Sequence, residues 1–476
     1  MGTLRVRRLA ISLAATVLLG CSYVNVQLND NSLPLERRVA NRTRSAVFAD
    51  VSSPTTRDSV SMLRTEHTVR PGRDIGPGPQ DADGFFVGLA LSGGGSRSAN
   101  FAAASMFQLQ RAGLLQHVDY ISSVSGGSLA AAFYCAHDKE WNPADVQQAL
   151  SRSFATDLIL RSLDPLNMMA YSFTDWDRSD VLAGIFQEEL FSRDGRALTF
   201  ADLRSDRPRL LINATDLQSG RRFVFCNESF DEINSDLCKY PLAYAVAASS
   251  AVPVVLHPVT LRDYATTFRQ YRHLIDAGVA ENLGVQTLVE TYNAQITAAR
   301  AAGRPDPYPH GAVYIVINAQ TRFNARLAQL SDVGAMASLK TAMGLTSRSM
   351  VNRVNSATLA EILLNNAPDV ETARELRAHI RQLDRDGFLQ VVDAGGHQVR
   401  VIYLSLAQLE GLPNLPFESF VDAVNSIDTY FNITPAEAAS LYQAAELVMK
   451  DKLEASVRAV VREIETAAPI PPTPAP

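Results

Sequence analysis

Residues 120–129 read Tyr120-Ile121-Ser122-Ser123-Val124-Ser125-Gly126-Gly127-Ser128-Leu129, an apolar, β-branched run that passes abruptly into small residues and helix formers. This is the pattern of a strand-to-helix turn with a serine at its apex. On such a turn the Ser125 hydroxyl is pushed out of the sheet, and Ser123 and Gly127 must be small because the backbones around them approach closely. The strict elbow pattern is G-x-S-x-G, and Ser123 stands where its first glycine belongs. Small-residue turns containing serine are common, so the stretch takes its meaning from the segments on either side.

Upstream, Phe85-Phe-Val-Gly-Leu-Ala-Leu-Ser92 reads as a buried strand running into Gly93-Gly94-Gly95-Ser96-Arg97-Ser98, with a helix following over Asn100 to Gln110. Consecutive glycines between strand and helix leave backbone N–H groups bare, and the helix adds a positive dipole end, so the loop suits a phosphate or an oxyanion. A dinucleotide fingerprint fits poorly, because Ser98 replaces the last glycine and no acidic ribose ligand follows. A P-loop would need Gly-Lys-Ser/Thr, which is absent. Beside an elbow serine about thirty residues on, an oxyanion hole is the most economical use, and close strand–helix packing is the alternative. Downstream, Tyr271-Arg-His-Leu-Ile-Asp276-Ala277-Gly278 is an apolar stretch ending at a carboxylate. Asp276 should therefore lie at a strand's carboxyl end, the place where open parallel sheets form their ligand crevice. An aspartate within reach of a serine can act as its base if its surroundings raise its pKa; a turn aspartate ending a strand is the bland alternative. Strand alternation points His273 to the opposite face from Asp276, and no other histidine has a neighbourhood that marks a triad base.

Two further segments, Leu211-Ile-Asn-Ala-Thr-Asp216 and Ala248-Ser249-Ser250-Ala251-Val252-Pro253, complete a set. With them the chain resembles the patatin-like phospholipase family, which combines a G-G-G-x-R loop, a G-x-S-x-G elbow, an A-T-D strand end, an A-S-x-A-x-P segment and a D-G-[GA] aspartate in that order. Here these are Gly93 to Arg97, Ser123 to Gly127, Ala214 to Asp216, Ala248 to Pro253 and Asp276-Ala277-Gly278, within residues 84–320. The resemblance implies a Ser–Asp dyad with Ser125 as nucleophile and Asp276 as base. It also implies an oxyanion hole in the loop Gly93, Gly94, Gly95, Ser96 and Arg97, with the amides of Gly94 and Gly95 as donors. Ser98, Ser123 and Ala277 depart from the family's glycines. If the backbone at Ser123 or Ala277 needed a positive φ, each would cost on the order of 1 kcal/mol. Arg97 suits a substrate contact or a structural clamp equally, and Asp216 suits a turn.

The implied fold is a three-layer α/β/α patatin-like sandwich with a mainly parallel central sheet and a helical C-terminal extension. The strand-length runs 85–91, 118–124, 208–214, 271–275 and 312–318, alternating with helical stretches, agree with it. Beyond residue 320, segments 328–345, 348–383 and 435–465 carry helical periodicity and 398–405 reads as a strand, so 321–466 completes or flanks the domain. Residues 467–476 form a proline-rich tail.

Arg5, Arg7 and Arg8 precede an apolar run from Leu9 to Leu19, too short for a permanent membrane span, so residues 1–20 read as a secretory signal. Leu18-Leu19-Gly20-Cys21 resembles the lipobox of bacterial lipoproteins, in which the cysteine is lipidated. Ser22 after it is the residue type that, by the same resemblance, accompanies sorting to the outer membrane. Residues 21–83, polar and broken by Pro71-Gly72 and Gly76 to Pro79, read as a tether between bilayer and domain. Removing the signal's three arginines takes the formal charge from −6 to about −9, which argues against nucleic acid and against electrostatic adhesion to anionic lipid. Of the remaining cysteines, Cys226 and Cys238 close a short loop and suit a disulfide in an oxidising compartment, while Cys135 suits a buried thiol. No metal or cofactor is expected. The expected activity is that of a membrane-anchored acyl hydrolase acting on phospholipid or lysophospholipid; the alternatives are an inactive lipid-binding lipoprotein of the same fold and a nucleotide-binding protein using Gly93 to Gly95.

Overall fold

The structure is a computed structural model that describes residues 29–30, 83–321 and 378–467, except 175, 267–269, 302, 379, 384, 394 and 418. The signal, Cys21, nearly all of the expected tether, the stretch 328–345, most of 348–383 and the proline-rich tail after 467 lie outside the described residues. The strands of the main sheet are β1 (Phe85–Leu91), β2 (Tyr120–Ser123), β3 (Arg209–Asp216), β4 (Arg222–Phe225), β5 (Val259–Asp263), β6 (Gln270–Ile275), β7 (Gly311–Asn318), β8 (Phe388–Val392) and β9 (Gln398–Ser405). They form one nine-stranded sheet in the order β8-β9-β7-β1-β2-β3-β6-β5, with β4 also paired to β3.

The sheet is parallel from β9 through β7, β1 and β2 to β3. It is antiparallel at both ends, where β8 meets β9 and where β4, β5 and β6 are added. It is therefore a mixed sheet with a parallel centre and antiparallel margins. The reason is connection length: β3 to β4, β5 to β6 and β8 to β9 are joined by a few residues each, and a parallel crossover needs a dozen or more.

Two layers of helix cover the sheet, and β1 shows how the sequence divides them. Its odd residues Phe85, Val87, Leu89 and Leu91 enter one core, shared with α1 (Gly95–Arg111), α2 (Gly126–Ala136), α3 (Pro143–Leu150), α4 (Phe154–Ser162) and the elements that follow α5 (Pro165–Phe173), namely α6 (Arg178–Glu189), α7 (Asn227–Glu232) and α8 (Leu242–Ser249). Its even residues Phe86 and Ala90 enter a second core, built against Val285, Leu288 and Tyr292 of α9 (Val285–Ala301). Period-two alternation on a strand buried on both faces produces this division. Gly88 lies on the α9 face, where a Cβ would come within 2.9 Å of Leu288 Cδ1, so its bareness lets that helix approach.

The C-terminal region belongs to the same body. β8 and β9 extend the sheet, and α10 (Phe420–Asn425), α11 (Pro435–Val448) and α12 (Glu454–Thr466) bury Val424, Leu441, Val448, Val457 and Val460 in the first core.

One pairing decides where the site forms. Ile212 of β3 pairs with Ser123 of β2 and also with Phe225 of β4, so β2 and β4 flank β3 on opposite sides. Thr215 pairs with Arg222 of β4 and with Ile275 of β6, which puts β6 on the side of β2. β2 and β6 thus occupy one lane beside β3, running toward each other. Asp276 does follow a strand end at the crevice, but that strand arrives from outside the sheet and overlaps β3 only at Thr215 and Asp216.

The expected disulfide is absent: Cys226 and Cys238 are both buried thiols. Cys226 precedes α7 and its Sγ lies 3.3 Å from Ser229 Oγ, while Cys238 sits in a tight turn whose N–H is bonded to Asp236 at 3.2 Å. The Cys226 sulfur is thus directed by its own local turn. Cys135 is a buried thiol too, and burial pushes it up to about 12.

Gly127 is the tightest test of the strand-to-helix junction, since a Cβ there would lie 2.7 Å from Ser92 O and 2.8 Å from Leu91 O. Gly127→Ala should lower unfolding free energy by about 1–3 kcal/mol, the range for overpacking against backbone, as read from the midpoint of a denaturant titration; an unchanged midpoint would contradict the packing described.

Candidate active site

Ser125 occupies the apex of the turn between β2 and α2 with φ 49° and ψ −123°, a conformation that non-glycine residues rarely take. The surroundings over-determine it. The Ser125 N–H donates to Ser249 Oγ at 2.8 Å, and Ser249 Oγ lies 3.2 Å from Ser128 Oγ. Asn213 Nδ2 holds the Ser123 carbonyl and the Ser122 hydroxyl, each at 2.9 Å, and Thr287 Oγ1 donates to Asn213 Oδ1 at 2.6 Å. Neither Ser123 nor Ala277 has a positive φ, so the departures from glycine carry no backbone strain. The Ser123 hydroxyl is buried without a hydrogen-bond partner, and that is what its substitution costs.

Asp276 arrives at the same point from β6. Its N–H donates to the Ala251 carbonyl at 2.9 Å, and Thr215 Oγ1 donates to the Asp276 carbonyl at 2.9 Å. Its carboxylate accepts the Gly278 N–H at 2.7 Å, and the Ser125 hydroxyl lies close enough to favour its charged form. Gly278 is needed because a Cβ there would lie 2.9 Å from Asp276 Oδ1 and 3.0 Å from Asn282 Oδ1. Burial raises the Asp276 pKa from the ordinary 3.8 to about 6, against the two hydrogen bonds, which lower it.

The glycine loop meets the elbow back to back: a Cβ on Gly126 would fall 2.0 Å from Gly95 O. Its amides divide into two sets. Gly93 N–H is used by the Asn282 carbonyl at 3.0 Å and Ser96 N–H faces the Tyr430 carbonyl at 3.4 Å, so neither is available to a ligand. The N–H groups of Gly94, Gly95 and Gly126 have no acceptor among the described residues. Gly94 and Gly95 take φ values of 138° and 57°, which glycine alone supplies without strain. Arg97 is a clamp rather than a bare charge: it is buried, and its Nη1 donates to the Ile427 carbonyl at 2.9 Å. The same C-terminal turn covers Gly95, where a Cβ would meet Thr429 O at 1.8 Å. Ser98, the third departure from glycine, turns its hydroxyl onto the Ser92 carbonyl.

The histidines with described contacts are engaged elsewhere. His273 Nδ1 lies 3.0 Å from Thr260 Oγ1, His137 Nε2 lies 2.8 Å from Leu190 O, and His397 sits between Asp306 and Asp393. Asp216 organises a turn, accepting the Gln218 N–H at 2.9 Å and pairing with Arg272 at 3.1 Å. The sequence pattern had flagged the segments containing Thr215 and Ser249 without their tasks, and had not singled out Gly126, Asn213, Asn282 or the turn 427–430.

Because the folded pKa of Asp276 exceeds its unfolded value, the folded state holds that proton more tightly. The associated stability is fully present below the ordinary value of 3.8 and is lost as pH rises through about 6. Asp276→Asn should therefore stabilise the protein at pH 8 by up to about 3 kcal/mol, the gain fading below pH 4, as measured by denaturant titration at the two pH values. A substitution that destabilises equally at both would contradict the buried, raised carboxylate.

A family model described as patatin-like phospholipase matches residues 89–289. Among solved structures the chain is similar to human GIVD cytosolic phospholipase A2, with 13% sequence identity over 91% of this chain and 67% of that chain and a TM-score of 0.46. It is similar also to that protein in complex with methyl gamma-linolenyl fluorophosphonate (14% identity, 92% and 64% covered, TM-score 0.44) and to VipD from Legionella pneumophila (12% identity, 76% and 67% covered, TM-score 0.28). The chain thus spans about two thirds of the length of these structures. No curated protein sequence matches it. Residues 89–289, which carry the glycine loop, Ser125 and Asp276, are the part of the chain that matches the patatin-like phospholipase family.

Proposed function

We propose that the chain is a membrane-anchored serine acyl hydrolase that cleaves lipid acyl esters, with phospholipid or lysophospholipid as substrate. The observation that carries this reading is the convergence of the Ser125 hydroxyl on a buried Asp276 carboxylate whose pKa burial raises, at the apex of a strained turn beside three amides that have no acceptor among the described residues.

Asp276 takes the hydroxyl proton as Ser125 Oγ attacks the ester carbonyl carbon. A carboxylate with a pKa of about 6 is ionised at neutral pH yet a stronger base than an ordinary aspartate. Charge on the carbonyl oxygen is met by the N–H groups of Gly94, Gly95 and Gly126, and the dipole of α2 adds to them. Collapse of the tetrahedral intermediate breaks the ester C–O bond, and the leaving alcohol takes the proton from Asp276. Water, deprotonated by the same carboxylate, then attacks the acyl-enzyme and releases the fatty acid, returning the proton to Ser125. Asn213, Ser249 and Thr215 position the two reacting groups without touching substrate.

The lipobox-like Leu18 to Cys21 supports the anchoring, on the outer membrane of a Gram-negative cell given Ser22. Acyl chains on Cys21 would hold the enzyme where its substrate lies.

A fluorophosphonate probe should label the purified protein, and Ser125→Ala should abolish labelling. Asp276→Asn should lower kcat about 10²–10⁴-fold, the usual worth of a general base, and wild-type kcat/KM should rise with pH through about 6 to a plateau as Asp276 ionises. Full esterase activity in Asp276→Asn would sink the dyad.

A further inference from the structure

Asn29 lies far upstream of the domain in sequence, yet it is buried against β5. Its Nδ2 donates to the Arg262 carbonyl at 2.8 Å, its Oδ1 accepts the Arg262 N–H at 2.9 Å, and the Tyr264 hydroxyl donates to its carbonyl at 2.9 Å. Asp30 pairs with Lys239 at 3.5 Å. The pair of hydrogen bonds to both backbone groups of Arg262 occupies the open edge of β5, the last strand at this end of the sheet. Cys21 precedes Asn29 by eight residues, which span at most about 28 Å. The reach of the anchored domain is therefore set by this short arm rather than by the whole stretch to residue 83.

The position of the clamp fixes a direction. β6 overlaps β3 only at its last two residues, so the β5–β6 hairpin stands out beyond the carboxyl edge of the sheet, on the side where Asp276 and Ser125 meet. Arg262 pairs with Tyr271, about 13 Å up that hairpin from Ile275. Asn29, the attachment point of the arm, and the dyad thus lie toward one side of the sheet.

That side carries exposed apolar residues whose place is given by the chain. Val252, Val254 and Val255 follow directly on Ala251, the residue bonded to Asp276, and Val279 is three residues beyond Asp276. Val254 is 81% exposed and takes φ 75°, a conformation costly for a β-branched residue. A second strip, Leu160 on α4, Leu163 in the turn after it, and Leu166 and Met169 on α5, is exposed as well. It begins where Ala155 N–H donates to Phe431 O at 2.7 Å, next to the turn over Gly95, and it leads to Ser179, whose hydroxyl donates to His257 O at 2.5 Å just past Val255. With a mature charge of about −9, attraction to anionic lipid is lacking, and contact must come from apolar burial.

We propose that Asn29 clamps the anchor arm to the β5–β6 hairpin so that the dyad face lies on the bilayer, and that the enzyme draws its substrate from the leaflet in which it is anchored. This rests on the reading of Cys21 as lipidated and of Ser125 as the nucleophile of a lipid hydrolase. Each turnover then needs no passage of the domain between membranes; a lipid rises into a site already apposed to it.

The test uses the full lipoprotein carrying Ser125→Ala, reconstituted into phosphatidylethanolamine/phosphatidylglycerol vesicles, so that no lipid is consumed. Val254→Cys and, separately, Lys139→Cys are labelled with an environment-sensitive fluorophore; Cys135, Cys226 and Cys238 are buried, and Lys139 is exposed beyond the far end of α2. Brominated acyl chains should quench the probe at 254 at least threefold more than at 139, and Asn29→Ala should at least halve that quenching with vesicle retention unchanged. Equal quenching at the two positions, or quenching indifferent to Asn29→Ala, overturns the inference while leaving the anchored hydrolase intact. A protein without acyl mass on Cys21 that fails to stay on vesicles overturns both, and intact-mass measurement on the same sample tells the two failures apart.

Discussion

Two hydrogen bonds from one short segment hold the candidate site together. Ser249 Oγ accepts the backbone N–H of Ser125 and the Ala251 carbonyl accepts the backbone N–H of Asp276, so that residues separated by about 150 positions in the chain are set against each other by a span of three. The segment can do this because α8 ends there, its last turn freeing one hydroxyl and one carbonyl to face different loops. A strained elbow and a buried carboxylate are each costly alone. Fixed in this way, the strain at Ser125 keeps its hydroxyl prominent and the burial of Asp276 raises the pKa of its carboxylate, the two properties that the proposed proton transfer uses.

The rest of the molecule maintains that contact. The parallel strands β1 and β2 deliver the glycine loop and the elbow to a common edge, and the lane beside β3 brings β6 down onto that edge from outside. Asn282 is wedged between Gly93 and Gly278 and ties the glycine loop to the aspartate loop. From the far end of the chain, the carbonyls of Ile427 and Tyr430 take up Arg97 and Ser96, which leaves Gly94 and Gly95 as the loop's open donors. The C-terminal region is thus part of the site's wall as well as of the sheet.

Much of this was legible in the sequence, for reasons that are local. Strands 85–91 and 398–405 have the predicted bounds, because an unbroken apolar run flanked by small or polar residues is a short-range signal. Ser125, Asp276 and the glycines announce themselves by residue type at turns that need those types. The direction of β6 was not legible, since a strand's partner and sense are set by connections and neighbours rather than by its own residues. Nor were the tasks of Ser249 and Thr215, whose hydroxyls satisfy backbone groups 124 and 61 residues away. The spacing of Cys226 and Cys238 suggested a bridge because spacing omits direction, and the first turn of α7 points the Cys226 sulfur to Ser229.

The central claim is that Ser125 carries the acyl group with Asp276, and no histidine, as its base. Rapid acid quenching of wild-type enzyme during turnover of a fatty-acyl ester, followed by peptide mass mapping, tests it most directly. The account predicts an adduct of one acyl group on the peptide containing Ser125, formed at a rate that rises with pH through about 6. Turnover with no adduct, or with the acyl group on another residue, would contradict it.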